Sequence, residues 1–231
     1  MWANDTRGGD GAATLAALAR NTRRLRLGLG VVALSEYSPV EIARRLSTAG
    51  LPLDRLTLGV GAGSSASLAL VRDGVAELRA LLPDLPIAVA AVGPRMLRLA
   101  GEVADAVVAT WARPERVPWI REQVAATGGA PRLVLYVRAA VGPGAASRLR
   151  DEMDRYASYG RHYARAFEAQ PDGLVGIAVE SGDPADIAAA LAPYRSVADT
   201  VVVRAIPTED TVDAWLEVAT AVAISAGANR R

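Results

Sequence analysis

Glycines cluster at the ends of two apolar, strand-like segments near the start of the chain. The first segment, LRLGLGVVA, covers residues 25–33, and the second, RLTLGVGAG, covers residues 55–63. Because glycine lacks a Cβ and tolerates positive φ, a flat or phosphorylated ligand can approach such backbone closely. We therefore predict that these two strand ends form the floor of a ligand site.

A third segment, AAVGPRM at residues 90–96, ends a strand in small residues and begins a helix at Gly93-Pro94. Free amides and the positive end of a helix dipole at this point suit an anion. Thr110, at the end of the next predicted strand, can offer a hydroxyl to the same anion. Each strand end alone is also compatible with simple packing, but together they predict one site at the carboxyl face of a barrel.

Two glycine patterns have competing interpretations. Residues 28–33, GLGVVA, formally match a dinucleotide-binding pattern, but the strand continues past the glycines where a Rossmann unit would turn into a helix, so we disfavour that site. Residues 59–63, GVGAG, are equally compatible with a tight turn and a ligand loop. Without lysine they do not form a P-loop.

Missing residue types exclude several kinds of chemistry. The chain has no cysteine and no lysine, and His162 is its only histidine. Disulfides, thiolate catalysis, cysteine zinc sites and lysine Schiff bases are therefore excluded. His162 lies in an arginine-rich, helix-like stretch, so we interpret it as a solvated helix residue. We predict no metal site and identify no catalytic residue; a cofactor must supply the reactive atom.

The predicted elements alternate between strands and helices. The apolar strands lack period-two patterning, which indicates a parallel sheet with helices outside it, in a single domain over residues 1–231. An aromatic stripe between residues 149 and 167 falls at helical spacing and is interpreted as a core or dimer contact in preference to a ligand site. Strands are predicted near 1–5, 25–33, 53–60, 86–92, 104–110, 133–141, 174–179 and 199–205, and helices near 12–21, 40–48, 67–82, 93–103, 114–126, 145–169, 184–194 and 211–226.

The charge balance limits the partners of the chain. Its 26 basic and 25 acidic residues give a net charge of +1, and no run of like charge stands out. This argues against nucleic-acid and membrane-surface binding. No targeting or membrane-spanning segment is evident, so we expect a cytoplasmic protein that acts on a small-molecule substrate.

These segments resemble the luciferase-like monooxygenase superfamily, in particular its deazaflavin-dependent branch similar to methylenetetrahydromethanopterin reductase. The resemblance rests on residues 24–31 with 38–43, on residues 55–63, and on the Gly-Pro to Ala-Asp block at 93–105. It implies an α/β fold of the (β/α)8 TIM-barrel type that holds coenzyme F420 or FMN at its carboxyl face. The implied activity is an oxidoreductase that passes hydride between the cofactor and a small organic substrate, and a homo-oligomer is expected.

The same resemblance implies which residues contact the cofactor. It places a non-prolyl cis peptide at Gly30-Val31, which would buttress the ring. Residues expected near the ring and on the floor are Asp5, Gly30, Val31, Ala33, Gly61, Gly63 and Ser64, and those expected at the phosphate are Ala90, Ala91, Gly93, Pro94 and Thr110.

The sequence also departs from the family pattern. Relatives begin with a strand and helix that this sequence lacks, so we expect an incomplete barrel without its first β/α unit, whose open edge must be covered. The usual aspartate-histidine pair is Asp5-Thr6 here, and Ser64 stands where some relatives have glutamate. These departures keep an alternative open, namely a non-catalytic flavin-binding protein or partner subunit that retained the scaffold.

Overall fold

Strands and helices alternate along the chain, as the sequence predicts. The computed structural model describes residues 1–5, 9–170 and 173–228, so Thr6 lies outside the described residues. The strands are β1 Trp2–Ala3, β2 Leu27–Ala33, β3 Leu56–Gly61, β4 Ile87–Ala91, β5 Ala106–Thr110, β6 Arg132–Val141, β7 Ile177–Val179 and β8 Thr200–Ile206. The helices are α1 Gly11–Arg20, α2 Pro39–Ala49, α3 Leu68–Leu81, α4 Pro94–Val103, α5 Val117–Ala125, α6 Ala145–Ser158, α7 Arg161–Glu168, α8 Pro184–Val197 and α9 Val212–Ala228.

Several predicted elements begin later than expected or are interrupted, among them the strand expected from residue 174, which begins at Ile177, and the helix expected from residue 114, which begins at Val117. The strand expected from residue 53 begins at Leu56, because Leu53–Arg55 form a 3-10 turn after Pro52. The long helix expected over residues 145–169 is interrupted at Gly160, which adopts φ 160° and separates α6 from α7. Glycine has no side chain that would hinder this break. The residues of the aromatic stripe are therefore divided between α6 and α7.

Backbone contacts divide the chain into two compact units. The N-terminal unit comprises Met1–Val108 and Arg121–Leu133, and the C-terminal unit comprises Ala109–Ile120 and Val134–Arg231. The single domain expected from the sequence remains a prediction.

The N-terminal unit contains a parallel sheet in which β1 pairs with β2, β2 with β3, and β3 with β4. One face of this sheet carries large aliphatic side chains such as Leu29, Leu58 and Ile87, which are at most 2% exposed. Leu29 lies against Gly11 at the start of α1, so this face supports the helices. Helices α2 and α3 begin at serine caps, Ser38 and Ser67, whose hydroxyls accept backbone N–H groups of the first turn.

The C-terminal unit is built around β6. This strand pairs in parallel with β7 through residues 139–141 and with β8 through residues 134–140. Its core contains Trp111, Ala140, Leu149 and Val175, and Tyr156, Tyr163 and Phe167 of the aromatic stripe pack against it. The packing prediction is confirmed for these residues of the stripe, whereas Tyr159 is 62% exposed. His162 is exposed, as expected.

The sequence predicts no membrane-spanning segment. Among the residues that the structure describes, no helix combines the length and the apolar character needed to cross a bilayer.

Replacement of Gly101 by alanine is expected to destabilise the N-terminal unit although alanine favours helices. A Cβ at Gly101 in α4 would lie 2.1 Å from the Val124 carbonyl oxygen, which is backbone and cannot move aside cheaply. The clash outweighs the helix-propensity gain of about 1 kcal/mol, so Gly101→Ala should lower the unfolding free energy in urea by about 1–3 kcal/mol. Gly93→Ala is the control, because a Cβ there meets nothing within 4 Å.

Candidate functional site

The second face of the N-terminal sheet, opposite the aliphatic face, carries almost no side-chain volume. The strand register places Gly28 beside Thr57, Gly59 beside Ala88, and Ala33 beside Gly61. Because side chains alternate between the faces of a strand, these residues share one face. We call this surface the small-residue floor, and its members are Gly28, Gly30, Val31, Ala33, Thr57, Gly59, Gly61, Ala88 and Ala90.

The carboxyl end of the floor brings three predicted strand ends together. A Cβ built on Gly61 would lie 3.5 Å from Ala90 Cβ and 3.8 Å from Val31 Cγ2. Val31, Ala33 and Ala90 are half-buried, so this end of the floor is reachable from outside the unit. A flat group can lie here against methyl groups and bare backbone.

The backbone of β2 is irregular where the floor begins. The peptide between Gly30 and Val31 is cis, as the resemblance implies. At the same place the register of β2 on β3 shifts, because three steps from Leu29 to Val32 face two steps from Leu58 to Val60. The extra residue is a β-bulge, and such bulges re-aim side chains near functional sites. Here it turns Val31 onto the floor beside Gly59 and Gly61.

Trp2 covers the amino end of the floor. A Cβ on Gly28 would lie 2.1 Å from the Trp2 ring, and one on Gly30 would lie 2.7 Å from it. These two glycines therefore make room for the chain's own indole, and Trp2 is half-buried. The floor left for a ligand extends from the indole edge toward Gly61 and Ala90.

Ala33, Gly63 and Ser64 lie together at the rim of the floor, next to Ser35. Gly63 adopts φ +65°, and a Cβ there would lie 2.2 Å from Ser35 Oγ and 2.9 Å from Ala33 Cβ. The backbone N–H of Ser64 donates to Ser35 Oγ at 3.3 Å. Both Gly63 and Ser64 are exposed, so the side chain of Ser64 is available at this rim.

Asp5 is held by a structural ion pair. Its carboxylate is 2% exposed and accepts two hydrogen bonds from Arg45 of α2, at 2.6 and 3.0 Å. It also accepts the N–H of Gly11 at 3.1 Å, at the start of α1. The hydrogen bond that Arg45 donates to Asp5 raises the pKa of Arg45, whose guanidinium also lies 4.4 Å from the Tyr37 ring centre. With both oxygens occupied, Asp5 links β1, α1 and α2 and is poorly placed to move a proton.

The start of α4 keeps its anion-binding geometry. Gly93 precedes the helix in an extended conformation, Pro94 occupies its first turn, and no side chain caps its free amides. A Cβ on Gly93 would meet nothing within 4 Å, so the approach to these amides is open. Ala90 and Ala91 end β4 just before this turn, and Ala91 is buried on the aliphatic face.

Thr110 belongs to the C-terminal unit and is engaged there. Its hydroxyl accepts a hydrogen bond from Arg138, which is 4% exposed and lies 4.1 Å from the Trp111 ring centre and 4.7 Å from that of Tyr156. Burial lowers the pKa of Arg138. Burial acts to raise the pKa of Tyr156, but the positive charges of Arg138 and Arg204 lower it. A shared anion at Thr110 and Gly93 stays a prediction.

Sequence reasoning missed Trp2, Ser35, Arg45 and Arg138. Trp2 could have been found, because a strand residue in register with Gly28 must place its side chain on the same face. Nothing local marks Arg45 as the partner of Asp5, since forty residues separate them. Arg138 resembles any arginine in a strand, and only its packing shows that it is buried. Among the residues that the structure describes, no group of three or more potential metal ligands occurs.

Loss of the Asp5 partner should destabilise the N-terminal unit. Arg45→Ala leaves a buried carboxylate without a counter-charge, so the unfolding free energy in urea should fall by about 2–3 kcal/mol, near the low end for broken buried pairs because Arg45 is partly exposed. Arg44→Ala is the matched control, since the neighbouring Arg44 pairs with Glu41 in solvent, and no resolvable change is expected there. Equal losses in the two variants would contradict the structural role of the Asp5–Arg45 pair.

The chain is similar to known proteins in its fold and, over residues 1–75, to one family in sequence. Residues 1–75 match the family described as luciferase-like monooxygenase. An F420-dependent secondary alcohol dehydrogenase, solved with an F420–acetone adduct, superimposes with a TM-score of 0.70 at 13% identity, over 94% of this chain and 87% of its own. The coenzyme F420-dependent tetrahydromethanopterin reductase of Methanopyrus kandleri gives 0.63 at 15% identity, over 94% and 88%.

A third solved structure, riboflavin lyase with modified FMN and riboflavin, gives a TM-score of 0.58 at 13% identity, over 97% of this chain and 75% of its own. At these identities the likeness shows the fold alone. The α/β class of the (β/α)8 TIM-barrel type, in an incomplete form, is thereby confirmed, and the expectation of F420 or FMN agrees with what these relatives bind. Together, the family match over residues 1–75 and the shared fold confirm that the chain is similar to the luciferase-like monooxygenase superfamily.

Proposed function

We propose that this protein is a flavin- or deazaflavin-dependent oxidoreductase that binds F420 or FMN on the small-residue floor and exchanges hydride with a small organic substrate. The observation that carries the proposal is the floor itself, where a Cβ built on Gly61 would come into van der Waals contact with Val31 and Ala90 of the two adjacent strands. Side-chain-poor backbone on successive strand ends suits a planar ring, because a larger side chain at any of these positions would occupy the space of the ring.

The residues present fit such a cofactor. A Cβ at Gly61 would project onto the floor in ordinary van der Waals contact with Ala90 and Val31 and without a clash. The cis peptide at Gly30-Val31 and the methyl groups of Ala33 and Ala90 would support one face of the ring. The uncapped amides at the start of α4, behind Gly93, would hold an anionic tail. When bound, the cofactor supplies the hydride chemistry, and the protein positions the ring and limits the access of water.

The described residues at the candidate site provide few groups that could transfer a proton. Asp5 is committed to Arg45, and Thr110 accepts a hydrogen bond from Arg138. Ser64 presents a free rim position but has an ordinary hydroxyl. This arrangement supports the second candidate function, a non-catalytic flavin-binding protein or a partner subunit, which retains the floor and lacks turnover.

Cofactor titration is the test of the proposed site. Purified protein titrated with F420 and with FMN should change the absorbance and fluorescence of one of them, with a dissociation constant in the micromolar range or below. An enzyme should also reoxidise the bound, reduced cofactor when a substrate or oxygen is added. Binding without reoxidation would favour the second candidate, and failure of both cofactors to bind would contradict both candidates.

A substitution on the floor localises the binding. Gly61→Val adds branched methyl groups where the ring would lie, so cofactor affinity should fall by about tenfold or more while the protein remains folded. Thr57→Val is the matched control, because Thr57 lies on the same face beside Gly28, at the amino end of β3. Equal affinity in Gly61→Val and the unmodified protein would place the cofactor elsewhere.

A further inference from the structure

A cleft in the C-terminal unit has the features of a second ligand site. It has a volume of about 570 Å³ and lies between α6, the residues that follow β8, and Trp215 of α9. This volume lies within the ~300–1,000 Å³ typical of small-molecule sites. All of its lining residues belong to the C-terminal unit, so it is independent of the small-residue floor.

Glu152 contributes an unused hydrogen-bond acceptor to this cleft. The residue is only 6% exposed, and its Oε1 atom has no hydrogen-bond partner in the part of the chain that the structure describes. Arg204 Nη1 lies 3.7 Å from that atom, beyond hydrogen-bond distance, while Arg155 pairs with Oε2. A buried carboxylate oxygen that accepts no hydrogen bond destabilises the folded protein. Binding of a ligand that donates a hydrogen bond to this oxygen is therefore favoured.

Arg148 contributes an unused donor one helical turn away. Its two terminal nitrogens donate to the carbonyls of Pro143 and Val141, which fixes the guanidinium. Its Nε–H is buried and has no partner among the described residues. Residues four apart on a helix are neighbours on its surface, so the free acceptor of Glu152 and the free donor of Arg148 lie on the same face of α6. A hydroxyl group can both donate and accept, which matches this pair.

The charged residues that line the cleft indicate which ligand charge it favours. Three arginines and four carboxylates line the cleft, so their charges nearly cancel and do not select a strong anion or cation. Trp215 adds an aromatic surface that is 37% exposed, and its indole N–H is already bound to Asp210 at 3.1 Å. The indole ring can therefore pack against the C–H groups of a ligand, while its N–H is not available for a hydrogen bond to that ligand.

We infer that this cleft binds a small uncharged molecule with adjacent hydroxyl groups, of the sugar or polyol class, through Glu152, Arg148 and the Trp215 ring. Arg155, whose side chain is 53% exposed, stays paired with Oε2 of Glu152 and leaves Oε1 to the incoming hydroxyl. The carboxylate then accepts the ligand's O–H, and Arg148 donates to a second hydroxyl oxygen.

Saturation-transfer NMR on the intact protein, without added cofactor, tests this inference with three matched probes. Glucose is uncharged, gluconate is its anionic counterpart and glucosamine its cationic one. Glucose should bind with a dissociation constant in the millimolar range or below, and the two charged probes should bind about tenfold more weakly. No binding of glucose at tens of millimolar, or tighter binding of either charged probe, would overturn the inference.

Variants localise the site. Glu152→Leu should abolish glucose binding, and Trp215→Ala should weaken it about tenfold. Because Glu152 is buried and its loss can unfold the protein, the exposed Trp215 provides the decisive variant. Trp119→Ala is its control, since Trp119 stacks on Arg116 away from the cleft lining, and binding should be unchanged. Unchanged binding in Trp215→Ala, or an equal loss in Trp119→Ala, would also contradict the assignment.

Discussion

The difference between the two faces of its sheet governs the N-terminal unit. The sheet places large aliphatic side chains on the face that supports the helices, and glycines and small side chains on the opposite face, which Trp2 covers at its amino end. The aliphatic face supplies the burial that stabilises the unit. The opposite face contributes little hydrophobic area, and at its carboxyl end Val31, Ala33 and Ala90 are half-buried and reachable. Because one face packs against the helices and the other carries the candidate site, the same strands can provide both stability and a binding surface.

Two arginines, the partly exposed Arg45 and the buried Arg138, are stabilised in different ways. Arg45 has a carboxylate partner, Asp5, in a two-bond arrangement that also positions α1 and α2. Arg138 is instead surrounded by the Trp111 and Tyr156 rings and donates to a neutral hydroxyl. Aromatic faces stabilise a desolvated guanidinium without adding an anion. The positive charges of Arg138 and Arg204 lower the pKa of Tyr156 against the opposing effect of its burial.

Much of the fold and part of the site could be predicted from the sequence, because both depend on local patterns. Apolar runs without period two predicted parallel strands with helices outside them. The cis peptide at Gly30-Val31 followed from family resemblance and not from any physical feature of the two residues. The role of Asp5 could not be predicted, since its partner is distant in sequence and an aspartate after a strand is equally suited to catalysis. The break at Gly160 was also missed, because a single glycine is tolerated within many helices.

The contact between Trp2 and Gly28 links the identities of two residues. The indole occupies the space that any Cβ at Gly28 would need, and the same ring also restricts Gly30. A larger residue can therefore arise at either glycine only if the tryptophan becomes smaller in the same lineage. Among homologous sequences, the residues at positions 2, 28 and 30 should covary: a larger side chain at position 28 or 30 should occur with a smaller one at position 2.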